Sequence, residues 1–482
     1  MNKIAWNLLW SYAERFLNKI ISLVVQIILA RLLLPADYGT IAMIMVIISL
    51  FDVLINDGFC NALVQKKEID KGDYDSIFWL NVCISLTLYL CLFCLADYIG
   101  VFLNDGNLPA LIRFMGLVLI VSSLNSVQRA YVQRNSLFRK FFFATLGANI
   151  ISGLVGVYCA YYGYGVWSLA YQYFVSTIMN AAIIFFQISW KPGLLISIAK
   201  VKGMFNFGFQ MILSALAYTF KDNIRQLLIG KYFSSADLGF YNQGQKFPAL
   251  LVSDMIASLG QVIFPVLSRE QSNRTNVKNL TREAIRYSSF IFLPVLVILF
   301  CVSDRFITVL LTEKWLASAV YLRIICIAYL NKSFSMVAMK SILAIGKSGA
   351  NLIHDVIITI CTIGFIFVAV FYYGSVEMVA WSYVAITIID TIIFVVYLNR
   401  FIKYSVEEIL ADYVPVFLVA CGAGGIVFMI GNYIETSIVN LSLQLICGVL
   451  LYLIIAKLVR LRSYIELESK ALGMYKTRKS HS

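Results

Sequence analysis

The chain has 482 residues, of which 60% are hydrophobic and 13% charged, and its mean hydropathy is +0.82. Soluble domains carry roughly 25% charged residues, so a soluble enzyme of this length is excluded and the composition is that of a chain living in a bilayer. The formal net charge of +13 comes with no basic–aromatic module, so nucleic acid is not an expected partner.

A helix needs about 20 apolar residues to cross the hydrocarbon, and the sequence offers about 14 such segments. In chain order they are 8–34, 39–62, 77–98, 110–131, 141–162, 166–188, 204–229, 238–266, 284–303, 317–343, 349–372, 377–399, 410–431 and 437–458. The expectation is an all-α, polytopic membrane protein with short loops, the main outer one at residues 304–316.

Several spans carry charge, and an ionised side chain facing lipid at mid-membrane costs at least ~2.5–3.5 kcal/mol. Part of the interior is therefore expected to be wet. In span 1, Ser11, Arg15, Asn18, Ser22 and Gln26 recur at helical spacing on one face, with Leu9, Leu17 and Val24 opposite. Span 2 holds Asp52, Asn56 and Asp57 beside Gly58. Span 7 lines up Ser214, Tyr218, Lys221 and Arg225. Span 8 carries Asn242, Lys246, Ser253, Asp254, Ser258 and Gln261, with Pro248 as an expected kink. Span 10 has Lys332 near its middle, span 11 opens with His354-Asp355, and span 12 has Asp390 at its centre. Two readings of these charges stand side by side. The bases line an anion-binding cavity or snorkel to an interface, and the acids bind a coupling cation or form packing pairs, such as Asp254 with Lys246.

A weak internal repeat relates Pro35-Ala36-Asp37-Tyr38-Gly39, after span 1, to Ser235-Ala236-Asp237-Leu238-Gly239, after span 7. It divides the chain into residues 1–200 (spans 1–6), 201–405 (spans 7–12), 406–460 (spans 13 and 14) and a basic tail, 461–482. Parallel repeats of this kind bind substrate between the halves in known transporter designs. Lys66, Lys67, Arg134, Arg139, Lys140, Lys200, Lys202, Arg269, Arg274, Arg282 and Arg478-Lys479 fall on one side of the membrane. The positive-inside rule makes that side cytoplasmic, with both termini there. Enzyme motifs are lacking: Gly346-Lys347-Ser348 has no upstream phosphate-loop glycine, and with His354 and His481 as the two histidines no metal triad is expected.

The stretch Leu50-Phe51-Asp52 through Asp57-Gly58, Asn61-Ala62, Gln65-Lys66-Lys67-Glu68 and Phe78-Trp79-Leu80-Asn81 resembles bacterial polysaccharide transporters of the colanic-acid-exporter and O-antigen-flippase type. So do Leu238-Gly239-Phe240-Tyr241-Asn242, Phe264-Pro265-Val266-Leu267-Ser268-Arg269 and Leu311-Thr312-Glu313-Lys314-Trp315. The resemblance implies the multidrug/oligosaccharidyl-lipid/polysaccharide exporter fold, two six-helix lobes facing each other in a V, here with two added C-terminal helices. It also implies flipping of an undecaprenyl-diphosphate-linked oligosaccharide (an O-antigen, capsule or exopolysaccharide repeat unit) from the cytoplasmic to the periplasmic leaflet of the bacterial inner membrane. Its expected partners are that lipid-linked substrate, membrane lipids and the polymerase or chain-length machinery.

For such a substrate the residues above suggest roles. Arg15, Lys221, Arg225 and Lys332 are candidates for the diphosphate, Asn18, Gln26, Asn242 and Gln261 for sugar hydroxyls, and Lys246 is a further substrate-binding candidate. Asp52, Asp254 and Asp390 are candidates for coupling to H+ or Na+, no other cofactor being expected. A drug or cation antiporter of the same fold is the alternative. A membrane polysaccharide polymerase or ligase fits less well, because the outer loops are short.

Overall fold

The computed structural model describes residues 3–103, 105–135, 137–194, 196–431, 433 and 437–469, and their side chains except those of 3–16, 138, 254 and 257. The side chains of Arg15 and Asp254, and the tail from 470 onward, lie outside the described residues. All regular elements among the described residues are helical. Twelve helices are long and apolar enough to cross a membrane. Numbered in chain order with two further long helices, they are α1 (Lys3–Leu32), α2 (Pro35–Gln65), α3 (Lys71–Leu103), α4 (Leu108–Arg134), α5 (Arg139–Tyr161), α6 (Val166–Gln187), α7 (Ile198–Tyr232), α8 (Ser235–Arg269), α9 (Arg274–Cys301), α10 (Ser318–Ala344), α11 (Ser348–Phe371), α12 (Val376–Ile402), α13 (Val406–Gly431) and α14 (Ile438–Leu458). The two outside the twelve are α1 and α7, which have 30 and 35 residues; α7 is diluted by Lys221, Asp222 and Arg225.

Most helix ends fall close to the apolar boundaries read from sequence. An exception is α9, which begins at Arg274, ten residues before the apolar run, because the Asn273 side chain caps it by accepting from the amides of Thr275 and Asn276 at 3.1 and 3.2 Å. A second difference lies in the outer connection expected at 304–316. There Ser303–Leu311 forms a short helix, with Ile307 and Leu311 buried and Asp304 exposed; its apolar residues recur every four positions and can be sheltered only in a helix.

Packing divides the chain into two compact units, residues 1–239 and 240–482. In the first, α5 packs on α6, α3 on α4, and α7 on α2 and α3. The C-terminal carbonyls of α2 need partners, and Arg134 supplies them: its Nη1 donates to the carbonyls of Leu63 and Val64 at 3.0 and 3.1 Å and its Nη2 to that of Lys67 at 2.9 Å. Lys200 donates to both Asp70 oxygens at 2.6 and 2.5 Å, tying the start of α7 to the loop before α3 and holding the Asp70 carboxyl below the usual carboxylate range.

The two Ala-Asp-x-Gly elements are equivalent helix starts. Asp37 is the third residue of α2 and accepts from the Leu34 amide at 2.9 Å; Asp237 is the third residue of α8 and accepts from the Ser234 amide at 3.2 Å. In each case a carboxylate closes back on the preceding amide and meets the positive end of the helix dipole. The two starts also touch. A Cβ on Gly39 would overlap the Ser235 carbonyl, and one on Gly239 would overlap that of Pro35. Glycine is thus required at both repeats for the same reason, close backbone approach.

In the second unit, α9 packs against α10, α13 and α14, and α11 packs on α12. Pro248 deprives α8 of a backbone donor, and the helix answers with a π turn over Ala249–Ser253. α10 is interrupted between Tyr329 and Lys332. The two interruptions meet through polar side chains, Ser253 of one and Lys332 of the other.

Candidate functional site

In the first unit the polar residues converge on α4. Ser122, Ser123, Asn125, Ser126 and Gln128 are almost fully buried there. They reach two neighbours: the Asn81 amide of α3 donates to Ser126 Oγ at 2.9 Å, Ser85 to Ser123 at 2.9 Å, and the Asn125 amide to Asn180 of α6 at 3.0 Å. In lipid these bonds hold helices together where apolar contacts cannot discriminate. Asp52 of α2 joins this seam. Its Oδ1 accepts from Ser122 Oγ at 2.6 Å and from Asn56 Nδ2 at 2.7 Å, both neutral donors.

The polar stripe of α1 is partly engaged in packing. Asn149 of α5 donates to Asn18 Oδ1 at 3.3 Å, Gln26 donates to Ser22 at 3.1 Å, and Leu17, Ile20, Val24 and Ile28 form the exposed side. On α7, Lys221 is half-buried with its ammonium 5.9 Å from the centre of the Tyr218 ring, and Arg225 one turn on is 9% exposed.

In the second unit, Lys332 sits at the interruption of α10. Its ammonium donates to Ser253 Oγ of the α8 π turn at 3.1 Å and lies 4.0 Å from the centre of the Tyr329 ring. Tyr413 of α13 donates to Asn331 Oδ1 at 2.8 Å, fixing the same interruption from the other side. Asn242 and Lys246 are half-buried on α8 and Gln261 is exposed. Asp390 is paired with His354 Nε2 at 2.7 Å. The structure thus joins Asp52 to the α4 seam, Lys332 to α8, Asp390 to α11 and Asn18 to α5.

Other cations are neutralised. Arg282 bonds Asp412 at 2.7 Å and Glu408 at 2.8 Å, Lys278 bonds Glu408 at 2.7 Å, and Arg286 bonds Glu466 at 3.2 Å. Tyr404 donates to Asp412 at 2.8 Å. Burial first, and that bond second, push the Tyr404 hydroxyl well above its ordinary value, so it remains a donor at any working pH. An apolar cavity of about 610 Å³ lies between α9, α10 and α13, lined by Leu296, Phe300, Leu330, Phe417 and Phe428. Its one basic neighbour, Arg323, is held by Ser303 and Asp304. Neither place suits an incoming phosphate.

Sequence reasoning passed over the α4 seam and the His354–Asp390 pair. The first had a signal, Ser122-Ser123-x-Asn125-Ser126-x-Gln128-Arg129 inside a span. The second had less, because its members lie 36 residues apart.

Residues 28–320 match the polysaccharide biosynthesis protein family. The lipopolysaccharide biosynthesis protein WzxC of Escherichia coli (strain K12) is 25% identical over 330 residues, which cover 67% of this chain and 66% of WzxC, just under two thirds of that relative. The teichuronic acid biosynthesis protein TuaB of Bacillus subtilis (strain 168) is 22% identical over 432 residues, 87% of each chain. The solved structure of the lipid II flippase MurJ, in an inward closed conformation, superposes with a TM-score of 0.77 over 94% of this chain and 98% of its own, at 16% identity. At that identity the likeness shows a shared fold. The family match covers more than half of the sequence and falls on the helices described above, and the chain belongs to the polysaccharide biosynthesis protein family of multi-pass membrane proteins.

Proposed function

We propose that the protein is a flippase that moves an undecaprenyl-diphosphate-linked oligosaccharide from the cytoplasmic to the periplasmic leaflet of the inner membrane by alternating access, with both termini cytoplasmic. The observation that carries this reading is Lys332. Its ammonium lies at mid-span, and among the described residues its contacts are a hydroxyl and an aromatic ring, with no carboxylate. A membrane cation whose described partners are a hydroxyl and a ring retains attraction for an arriving anion. The acid-saturated Arg282 and Arg286 do not.

In this reading Lys332, Lys221, Arg225, Lys246 and Arg15 meet the diphosphate through charge-assisted hydrogen bonds. Asn242, Gln261, Gln26 and Asn18 are the sugar-facing candidates, and the polyprenyl tail stays in lipid. An inside-negative potential favours outward movement of the anion by ~2.3 kcal/mol per charge per 100 mV. Exchange for a cation at Asp52, Asp254 or Asp390 adds to that drive. The names of WzxC and TuaB, both biosynthesis proteins of cell-surface polymers, support a substrate from cell-surface polysaccharide assembly.

Cells lacking the gene are expected to accumulate lipid-linked oligosaccharide on the cytoplasmic leaflet and lose the corresponding surface polysaccharide, with unchanged efflux of cationic dyes. Lost dye efflux with normal surface polysaccharide would assign the chain to drug export instead.

A further inference from the structure

Buried in the second unit, one imidazole is clamped between two acids. His354 of α11 is 5% exposed. Its Nε2 is 2.7 Å from Asp390 Oδ1 of α12, its Nδ1 is 3.2 Å from Asp355 Oδ1, and its ring lies against Phe394, tilted by 33° with centroids 4.3 Å apart. Asp390 is 20% exposed and Asp355 53%. The charged groups acting on the ring are Asp355 from its own helix and Asp390 from α12; α10, the other helix packed on α11, presents none among the described residues.

Hydrogen-bond chemistry then fixes the proton count. A neutral imidazole carries one N–H, so it can donate to only one of the two carboxylates, and its other nitrogen would set a lone pair against an oxygen lone pair. The contacts are satisfied in two ways: an imidazolium between two carboxylates, or a neutral ring with one carboxyl protonated. Both hold one proton more than a neutral ring between two ionised acids. With that proton the trio has net charge −1, and without it −2, a costly charge to leave within a membrane. The proton is held by the geometry. Asp355, 53% exposed, marks the open side of the trio.

We propose that His354, Asp355 and Asp390 form an intramembrane proton-binding site, and that the coupling ion of this transporter is H+, taken up and released at His354 once per cycle. The second half of this statement rests on the flippase reading; the first does not. The balance is simple: one proton joins the trio from water on one side of the membrane, and the same proton leaves to the other, with no change of oxidation state.

The test has two arms on the full-length chain. In the first, ring ¹⁵N spectra of histidine-labelled protein in lipid nanodiscs, with His481→Gln so that His354 alone reports, are expected to show two protonated nitrogens, or one N–H with the second nitrogen accepting a carboxyl proton. Asp390→Asn should convert the ring to an ordinary neutral histidine. A free, unprotonated nitrogen at neutral pH in the wild type would overturn the proposal. In the second, His354→Lys keeps a cation between the two acids but cannot release a proton. Surface polysaccharide is expected to fall by at least about tenfold at equal protein level and equal melting temperature. Wild-type output from the lysine variant would show that the trio is only a packing pair. Output that follows external sodium and ignores a protonophore would overturn the choice of ion. A gene deletion run in parallel separates the two failures: if it leaves the polysaccharide intact, the flippase reading falls on its own evidence.

Discussion

Replacing Asp412 with Ala is expected to produce the largest loss of stability of any single change in the second unit. Asp412 is 6% exposed, and three donors converge on it: Arg282 at 2.7 Å, Arg286 at 3.5 Å and the Tyr404 hydroxyl at 2.8 Å. Removing the acid leaves Arg286, itself 5% exposed, short of charge compensation. Breaking such a buried pair costs about 3–5 kcal/mol, and for a unit of this size that corresponds to a fall in melting temperature of roughly 10 °C. Thermal unfolding in detergent measures it. The control is Asp97→Asn, which removes an exposed pair with Arg113 at 2.6 Å; its expected effect is under ~1 kcal/mol. Equal shifts in the two variants would mean that the α9–α13 network does not hold the unit together. The network has a topological purpose: it fastens α13, and through Glu466 the segment after α14, to α9.

Lys332→Met should have the largest effect on activity. Methionine keeps the length and apolar body of the side chain and removes the ammonium, so stability should be nearly unchanged or improved, since a charge has left the membrane interior. Translocation should drop about ten- to a hundredfold, because hydrogen bonds to charged groups are worth about 1.5–3 kcal/mol and, among the described residues, no carboxylate competes for this ammonium. Lys332→Arg should recover part of the activity, as charge is retained with different geometry. Surface polysaccharide per unit of protein is the readout, and normal output from the methionine variant would remove Lys332 from the site.

Much of this architecture was legible in the sequence because a bilayer imposes simple rules. A spanning helix must be long and apolar, so its ends are marked where charges resume, as at Lys71 and Arg139. The start of α9 escaped this logic because Asn273 and a polar first turn extend the helix beyond the apolar run. The Ala-Asp-x-Gly repeat could be read because it performs local work, a carboxylate closing a helix start, and local work leaves a short motif. Its second meaning, the contact of Gly39 with Ser235, depends on two backbones meeting and could not be read from either copy alone. The candidate site was legible only in part. Lys332 and Asp52 stood out because charge within a span is conspicuous. Their pairings did not, nor did that of Asp390: Ser253, Ser122 and His354 are brought to Lys332, Asp52 and Asp390 by helix packing, across 79, 70 and 36 residues of chain. The bond from Asn149 to Asn18 was hidden for the same reason, since it joins two helices 131 residues apart in the chain.

The account rests on movement of a charged, glycan-bearing lipid between leaflets, and leaflet-resolved accessibility measures that directly. Purified protein is reconstituted into liposomes with a fluorescent undecaprenyl-diphosphate oligosaccharide inserted in one leaflet, and the glycan is then probed from the opposite side with a membrane-impermeant glycosidase under an imposed pH gradient. Wild-type protein is predicted to render the glycan cleavable from the far side, and Lys332→Met to leave it protected. Glycan that stays protected in intact wild-type liposomes, at every gradient applied, would contradict the account.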